Sequence, residues 1–344
     1  MKKGNKFGVH RVIEPNGVMP QAAQIVDNTM EIYNNEILID VLTLNIDSAS
    51  FTQIKKTCNS DKQKMKEMIT EIVSKRGKMQ NPVTGSGGML IGIVKEIGPD
   101  FPDKNLKVGD KIATLVSLTL TPLKINEIKD IKLDADQVDV NAQAILFESG
   151  IYAVIPSDMP EKLALAALDV AGAPAQVDKL VKEGNTVAII GAAGKSGILC
   201  CYQAMKKAGP NGKVISVVRG EKHKQELLEL GYTTDIVLAD ATNAMDVYEK
   251  VLEANNGEQV DVTINVVNVP NTEMSSILIT KDTGVVYFFS MATSFTKAAL
   301  GAEGIGTDVT MLIGNGYSKN HDQITLNIVR ESDKIRKVFE NKYL

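Results

Sequence analysis

The chain has 344 residues, 44% hydrophobic and 23% charged, and its 38 basic and 42 acidic side chains leave a net charge of −4. This is the composition of an ordinary soluble enzyme long enough for two cores, with no basic face for nucleic acid and no apolar run near the roughly 18 residues of a membrane span. The opening MKKGNKFGVH is charged but lacks the apolar stretch of a signal peptide, so a cytoplasmic protein is expected.

Taken in order, the first half reads as short β segments joined by turns: EILIDVLTLNI (36–46), GMLIGIVKEIG (88–98), VGDKIATLVSL (108–118) and ILFESGIYAVIP (145–156). One stretch, SDKQKMKEMITEIVSKRG (60–77), has the spacing of a helix. Short strands ahead of a nucleotide fold suggest a small barrel carrying the substrate-side residues, over residues 1–165. Cys58 lies in this half, and Cys200 and Cys201 are neighbours in a later helix; all three read as reduced packing residues.

From residue 166 the pattern changes. The strand TVAII (186–190) runs into GAAGKSG (191–197), which opens a long apolar helix. Gly191 permits the tight turn, Gly194 lets the backbone approach a dinucleotide's phosphates, and Gly197 lets the helix pack against the strand. Free amides at the helix start then face the anion, so Gly191, Ala192, Ala193, Gly194, Lys195, Ser196 and Gly197 form the expected phosphate loop. A P-loop is excluded because it needs glycine where Ile189 stands. Five more Val- and Ile-rich strands follow, KVISVV, DIVLAD, VDVTINVV, GVVYFFS and DVTMLIG, alternating with helical segments. That is a doubly wound parallel sheet of the Rossmann type, over residues 166–317.

In such a sheet the cofactor lies across the carboxyl ends of the strands. Arg219 ends the second, where an acid for the ribose hydroxyls is usual, and Lys222, His223 and Lys224 are near it. This basic group is either a reader of a 2′-phosphate, favouring NADP, or a solvated helix start. Asp240 after the third strand borders the adenine, and Asn268, Val269, Ser290 and Met291 follow the fourth and fifth, where the nicotinamide belongs. The cofactor is NAD or NADP.

The phrase GGMLIGIVKEIGPDFPDKNLKVGDKIATL, with AIIGAAGKSG downstream, resembles the medium-chain dehydrogenase/reductase superfamily. Within it, the phrases KFGVHRVIEPNGVMPQAA, NPVTGSGGMLIG, ALDVAGAPAQ, NVVNVPNTEM and FFSMATSFTKAALGAEGIGTDVTMLIGNGY resemble the L-erythro-3,5-diaminohexanoate dehydrogenase family of lysine fermentation. The resemblance implies a GroES-like catalytic domain, a Rossmann domain, and a C-terminal segment, 318–344, packing back on the catalytic domain. It also implies NAD(P)-dependent deamination of the 3-amino carbon to 5-amino-3-oxohexanoate and ammonia. Zinc-dependent members carry a cysteine where Asp47 stands, a Gly-His-Glu where this chain has Gly87-Gly88-Met89, and a four-cysteine lobe that is missing here. No metal site is therefore expected. The rival readings are a zinc-independent quinone or enoyl reductase and a non-catalytic nucleotide-binding protein.

Deamination needs a base for the reacting amine, a carboxylate for the second ammonium and a cation for the substrate carboxylate. Three acids are the candidates. Asp47 occupies the cleft position of a zinc ligand, although NIDSAS is also good turn chemistry. Ser48 and Ser50 beside it either orient water or cap a helix. Asp169 interrupts the apolar LALAALDVAGAPAQ, as a buried carboxylate or a helix cap, and Glu303 belongs to a glycine-rich loop after the fifth strand. Arg11, Arg76 and Lys78 are available for the substrate carboxylate, and His10 is a secondary candidate. An apolar edge strand at TMLIGNGY (310–317) points to a homodimer.

Overall fold

Apolar residues at Ile37, Ile39, Val41, Leu44 and Ile46 put one face of a ten-residue strand into a core, and the rest of the first unit is built on it. The computed structural model describes residues 1–314 and 316–343, and the chain divides into two units, Met1–Pro156 and Ser157 onward. In the first, β1 (Val12–Glu14) and β2 (Ile25–Val26) pair with each other. Then come β3 (Ile37–Ile46), α1 (Ser48–Thr57), α2 (Lys62–Arg76), β4 (Gly88–Ile97), β5 (Lys111–Thr114), β6 (Leu123–Lys132), β7 (Gln137–Leu146) and β8 (Tyr152–Val154). Strands three to eight make one antiparallel sheet in the order β6-β7-β3-β4-β5-β8.

Helix α2 buries Met65, Ile69, Ile72 and Val73, the i, i+4, i+7, i+8 stripe of its sequence, in the same core. The β6–β7 hairpin is not among the expected strands, and the reason is local. Bulges between Ile125 and Glu127 and between Ile128 and Asp130 break the period of two, so the isoleucines of β6 recur every third residue. The pairing that matters most runs along β3 and β4, where Ile46 stands opposite Gly88 and Asn45 opposite Met89. Gly88 has φ +115°, and a Cβ there would lie 2.0 Å from the Asn45 carbonyl oxygen. Only glycine brings the two strand ends this close, and Asp47 follows directly.

The second unit comprises α3 (Glu161–Leu168), α4 (Gly172–Leu180), β9 (Thr186–Ile190), α5 (Lys195–Ala208), β10 (Lys213–Val218), α6 (Glu221–Leu230) and β11 (Asp235–Leu238). It continues with α7 (Ala244–Ala254), β12 (Val260–Asn265), α8 (Glu273–Leu278), β13 (Thr280–Phe288), α9 (Phe295–Ile305), β14 (Thr310–Ile313), α10 (His321–Glu331) and α11 (Asp333–Tyr343). Its six strands are all parallel in the order β11-β10-β9-β12-β13-β14, so the winding reverses between β9 and β12. The six strands expected from the sequence are these six. A reversal of this kind leaves a ligand crevice at the carboxyl ends of the strands.

Two expectations about domain limits change. The boundary expected at 165 falls inside α3, whereas the units part after Pro156. The segment expected on the catalytic domain belongs to the second unit: α10 packs on α3 and α4, and α11 on α3 and α5. Thr325 donates to the Ala171 carbonyl at 3.2 Å, and Glu331 takes hydrogen bonds from Tyr202 and Lys206 of α5. The amphipathic helices α10 and α11 thus cover the helical layer of the nucleotide fold. Among the described residues no helix is long and apolar enough to cross a membrane.

Candidate active site

The phosphate loop has the geometry its glycines demand. Gly191 turns with φ +87°, and a Cβ there would meet Val267 N at 2.9 Å. At Gly197 a Cβ would lie 2.3 Å from the Gly191 carbonyl oxygen, so α5 starts against the end of β9. Gly194 differs: it caps α5 with ordinary extended dihedrals, and a Cβ would find no chain atom nearer than 3.4 Å. The space over Gly194 is open on the protein side, which is what an approaching pyrophosphate needs. No side chain caps α5, so its first-turn amides at Lys195, Ser196 and Gly197 have no side-chain acceptor at the cap. Ala192 is buried beneath the turn, while Ala193 and Ser196 are half-buried. This cradle fits a dinucleotide.

The remaining expected cofactor residues follow neighbouring strands at the same edge. Arg219 is exposed after β10. Asp240, exposed after β11, accepts the Thr242 amide at 2.9 Å and the Thr242 hydroxyl at 2.7 Å. Those two bonds, with a contribution from the Arg219 charge, hold its carboxyl below the usual range. Asn268 and Val269 are exposed after β12, and Ser290 donates to Asn268 Oδ1 at 3.2 Å, tying the β12 and β13 loops together. Met291 is 89% exposed.

The three candidate acids separate. Asp169 is not buried: it stands at the end of α3 with its side chain 55% exposed, ion-paired at 2.8 Å with Lys195 of the phosphate loop. Apolar neighbours in sequence misled because they face α10 and α11 while the chain turns outward at the helix end. Glu303 does not lie in a loop: its glycine-rich stretch continues α9, and Glu303 sits exposed in the last turn. Glycines 301 and 304 do not stop the helix, which ends only at Gly306 with φ +65°.

Asp47 caps α1 and is also the centre of a polar cluster. Its Oδ1 accepts the Ser50 amide at 3.1 Å and the Ser86 hydroxyl at 2.8 Å, while its amide donates to the Gly87 carbonyl at 3.3 Å. Its Oδ2 is buried without a hydrogen-bond partner among the described residues. The turn reading of NIDSAS holds, since the residue caps α1, and one carboxylate oxygen is left over. Ser50 is fully buried and touches the hydroxyls of Thr84 and Ser86, whereas Ser48 turns away to Asp136 at 2.8 Å. Thr84 and Ser86 were not legible as site residues, because only the β3–β4 register carries the loop NPVTGSGG to the end of β3. The one hint is its run of small hydroxyl and glycine residues just before a strand.

The basic candidates are spent inside the first unit. Arg11 is fully buried and grips Glu36 with two bonds of 2.7 Å, while also donating to the Thr29 and Glu31 carbonyls. His10 accepts the Asn5 amide at Nδ1, so the proton sits on Nε2 and is donated to Glu36 Oε1 at 2.9 Å. Lys78, also buried, donates to the Pro20 and Gln21 carbonyls, and Arg76 to those of Gln24 and Gln80. Burial pushes the thiols of Cys200 and Cys201 up, and all three cysteines are free and buried. Among the described residues no three His, Cys, Asp or Glu side chains gather at metal-ligand spacing.

A family model for the L-erythro-3,5-diaminohexanoate dehydrogenase N-terminal domain matches residues 10–156, ending where the first unit ends. The L-erythro-3,5-diaminohexanoate dehydrogenase of Fusobacterium nucleatum subsp. nucleatum is 64% identical over 100% of both chains, and that of Acetoanaerobium sticklandii 62% over 99% of this chain and 100% of its own. The chain belongs to the L-erythro-3,5-diaminohexanoate dehydrogenase family. The fold of this chain is also found in solved structures of low identity. A quinone oxidoreductase of Pseudomonas syringae pv. tomato DC3000 is similar at a TM-score of 0.54 and 17% identity, over 94% of this chain and 86% of that one. A mycobacterial protein, Rv1454c, complexed with NADPH, is similar at 0.53 and 16% over the same shares. At such identities the likeness is one of fold, the medium-chain dehydrogenase/reductase fold. What sets the diaminohexanoate dehydrogenases apart from these neighbours is identity above 60% along the full length of the chain.

Proposed function

We propose that the protein catalyses oxidative deamination of L-erythro-3,5-diaminohexanoate to 5-amino-3-oxohexanoate and ammonia, a step of lysine fermentation in the cytoplasm. The observation that carries this reading is identity above 60% along the whole chain to relatives that bear the name. Per turnover, substrate, water and oxidised cofactor give the oxo acid, an ammonium ion, reduced cofactor and one proton.

The loop Gly191–Gly197 holds the pyrophosphate on its amides, Arg219 and Asp240 flank the adenine ribose, and Asn268, Val269, Ser290 and Met291 line the nicotinamide end. When bound, NAD or NADP supplies the hydride acceptor. Arg219 in place of an acid supports acceptance of NADP, and the nearby Asp240 supports NAD. Asp47 is the base. Its unpartnered Oδ2 takes the proton of the reacting ammonium and releases it to solvent; after hydride loss the carboxylate, ionised again, draws a proton from the water that attacks the iminium carbon and passes it to the leaving amine. Asp169 and Glu303, exposed as they are, are not assigned proton transfer. The reaction proceeds without zinc, a reading supported by Asp47 and Gly87-Gly88-Met89 standing where zinc enzymes place ligands. A homodimer forms through the β14 edge strand; of the segment 310–317 proposed for it, Asn315 lies outside the described residues.

The test is initial-rate reduction of NAD and NADP, side by side, with L-erythro-3,5-diaminohexanoate after dialysis against a chelator. Turnover is expected with at least one cofactor, and Arg219→Ala lowers the NADP rate relative to the NAD rate. No turnover with either, together with reduction of quinones or enones by NADPH, would transfer the protein to the reductases of the same fold. Light scattering showing a monomer would remove the dimer.

A further inference from the structure

The hydroxyls around Asp47 hold a direction that their distances disclose. Four groups make four close contacts: Thr84 Oγ1 to Ser50 Oγ at 2.6 Å, Ser50 Oγ to Ser86 Oγ at 2.7 Å, Ser86 Oγ to Asp47 Oδ1 at 2.8 Å, and Thr84 Oγ1 to Ser86 Oγ at 3.0 Å. Each hydroxyl has one proton to give, and an ionised carboxylate has none. Three protons serve four contacts, so one contact is left without a hydrogen, and the longest, Thr84 to Ser86, is that one. Ser86 must donate to the carboxylate. Ser50 then donates to Ser86 and Thr84 to Ser50, which makes a single row of donors from exposed Thr84, through fully buried Ser50 and half-buried Ser86, to Asp47.

We propose that this row, Thr84–Ser50–Ser86, is the proton path between Asp47 and solvent during turnover. The inference rests on Asp47 as the base. Asp47 is half-buried, but its Oδ2 is shut off from solvent, so a proton taken there needs a route to water, and one proton must leave in each cycle. With Asp47 ionised the row holds three protons and points inward. With the fourth proton on the carboxyl, turned to the Ser86 side, the row points outward: Asp47 donates to Ser86, Ser86 to Ser50, Ser50 to Thr84, and Thr84 to water. One proton enters at the carboxyl and one leaves at Thr84; no bond to carbon changes and no electron moves. A purely structural latch needs no exposed end.

The experiment uses the full-length enzyme in dilute buffer, comparing Thr84→Val, Thr84→Ser and Asp47→Asn. Thr84→Val removes the solvent end at an exposed position and leaves every bond to Asp47 in place. Its kcat is expected to fall by about tenfold or more with KM within about twofold, general acid–base steps carrying effects of that order. Imidazole added as a small proton carrier restores the rate, and Thr84→Ser restores it without imidazole. Asp47→Asn is inactive under both conditions. An unchanged kcat in Thr84→Val beside an inactive Asp47→Asn overturns the path and leaves the base in place. A loss in Thr84→Val that imidazole does not relieve also overturns it, as damage to the loop. An active Asp47→Asn overturns the assignment of Asp47 itself.

Discussion

Lys195 Nζ, at the start of α5, lies 2.8 Å from Asp169 Oδ2, at the end of α3, so a side chain of the phosphate loop is ion-paired to an earlier helix. The pair is partly solvated, 26% and 55% exposed, and such pairs contribute at most about 1 kcal/mol. A pyrophosphate competes with Asp169 for the same ammonium, and the carboxylate repels it. Asp169→Asn is therefore expected to bind NADH and NADPH about two- to fivefold more tightly at low salt, with the gain shrinking as salt screens it. Fluorescence titration at two ionic strengths measures this, and weaker binding would contradict it.

Gly194 and Gly197 separate ligand approach from helix packing. Gly194→Ala has room for its methyl in the free protein, so the melting temperature stays put while cofactor Kd rises at least about tenfold, a methyl having taken the phosphate's place. Gly197→Ala places a methyl 2.3 Å from a carbonyl oxygen and destabilises the protein itself by about 1–3 kcal/mol. Thermal melts with and without NADH distinguish the two. Equal melting losses in both variants would refute the distinction.

Glu36 and Arg11 form a buried ion pair that fastens the N-terminal segment. Burial alone would raise the Glu36 carboxyl, but hydrogen bonds from Arg11, His10 and the Tyr33 amide outweigh it and hold it below its ordinary 4.5. A carboxyl lowered in the folded state adds stability that is fully present above pH 4.5 and is lost as pH falls through the lowered value. Glu36→Gln leaves the Arg11 charge buried and uncompensated, a loss of about 3–5 kcal/mol. Denaturant unfolding at neutral and acid pH tests this: the gap between wild type and variant is widest at neutral pH and narrows on acidification.

Lys78 is the reverse case. Burial, with the nearby Arg76 charge, lowers its ammonium from 10.5 to about 8. Between those values the unfolded chain holds a proton that the folded one has released, so folding gains stability as pH rises across that window. Lys78→Met abolishes the titration but strands the Pro20 and Gln21 carbonyls. The stability of wild type relative to this variant should climb from pH 8 to 10.5, at no more than about 1.4 kcal/mol per pH unit. A flat difference would mean that Lys78 keeps its proton in the fold.

Much of the nucleotide half was legible because its signals are local. Six strands of Val and Ile, the spacing of Gly191, Gly194 and Gly197, and Arg219 at a strand tip are all written within a few residues of where they act. The β6–β7 hairpin was not, since bulges erase the alternation that marks a strand. Of the two readings of Asp169 the helix cap holds, and Glu303 lies in a helix instead of a loop: an acid among apolar or glycine residues can face either way, and helix ends decide which.

The sequence alone determined the doubly wound sheet, its phosphate loop and the family, because backbone period and glycine spacing are properties of the chain. Only the tertiary structure decided that Ser86 and Thr84 join Ser50 around Asp47, that Arg11 and Lys78 are consumed in the interior, and that α10 and α11 cover the nucleotide fold. Those relationships join residues tens of positions apart. Strand register, burial and hydrogen-bond supply set them, and none of these is a property of neighbouring residues in sequence.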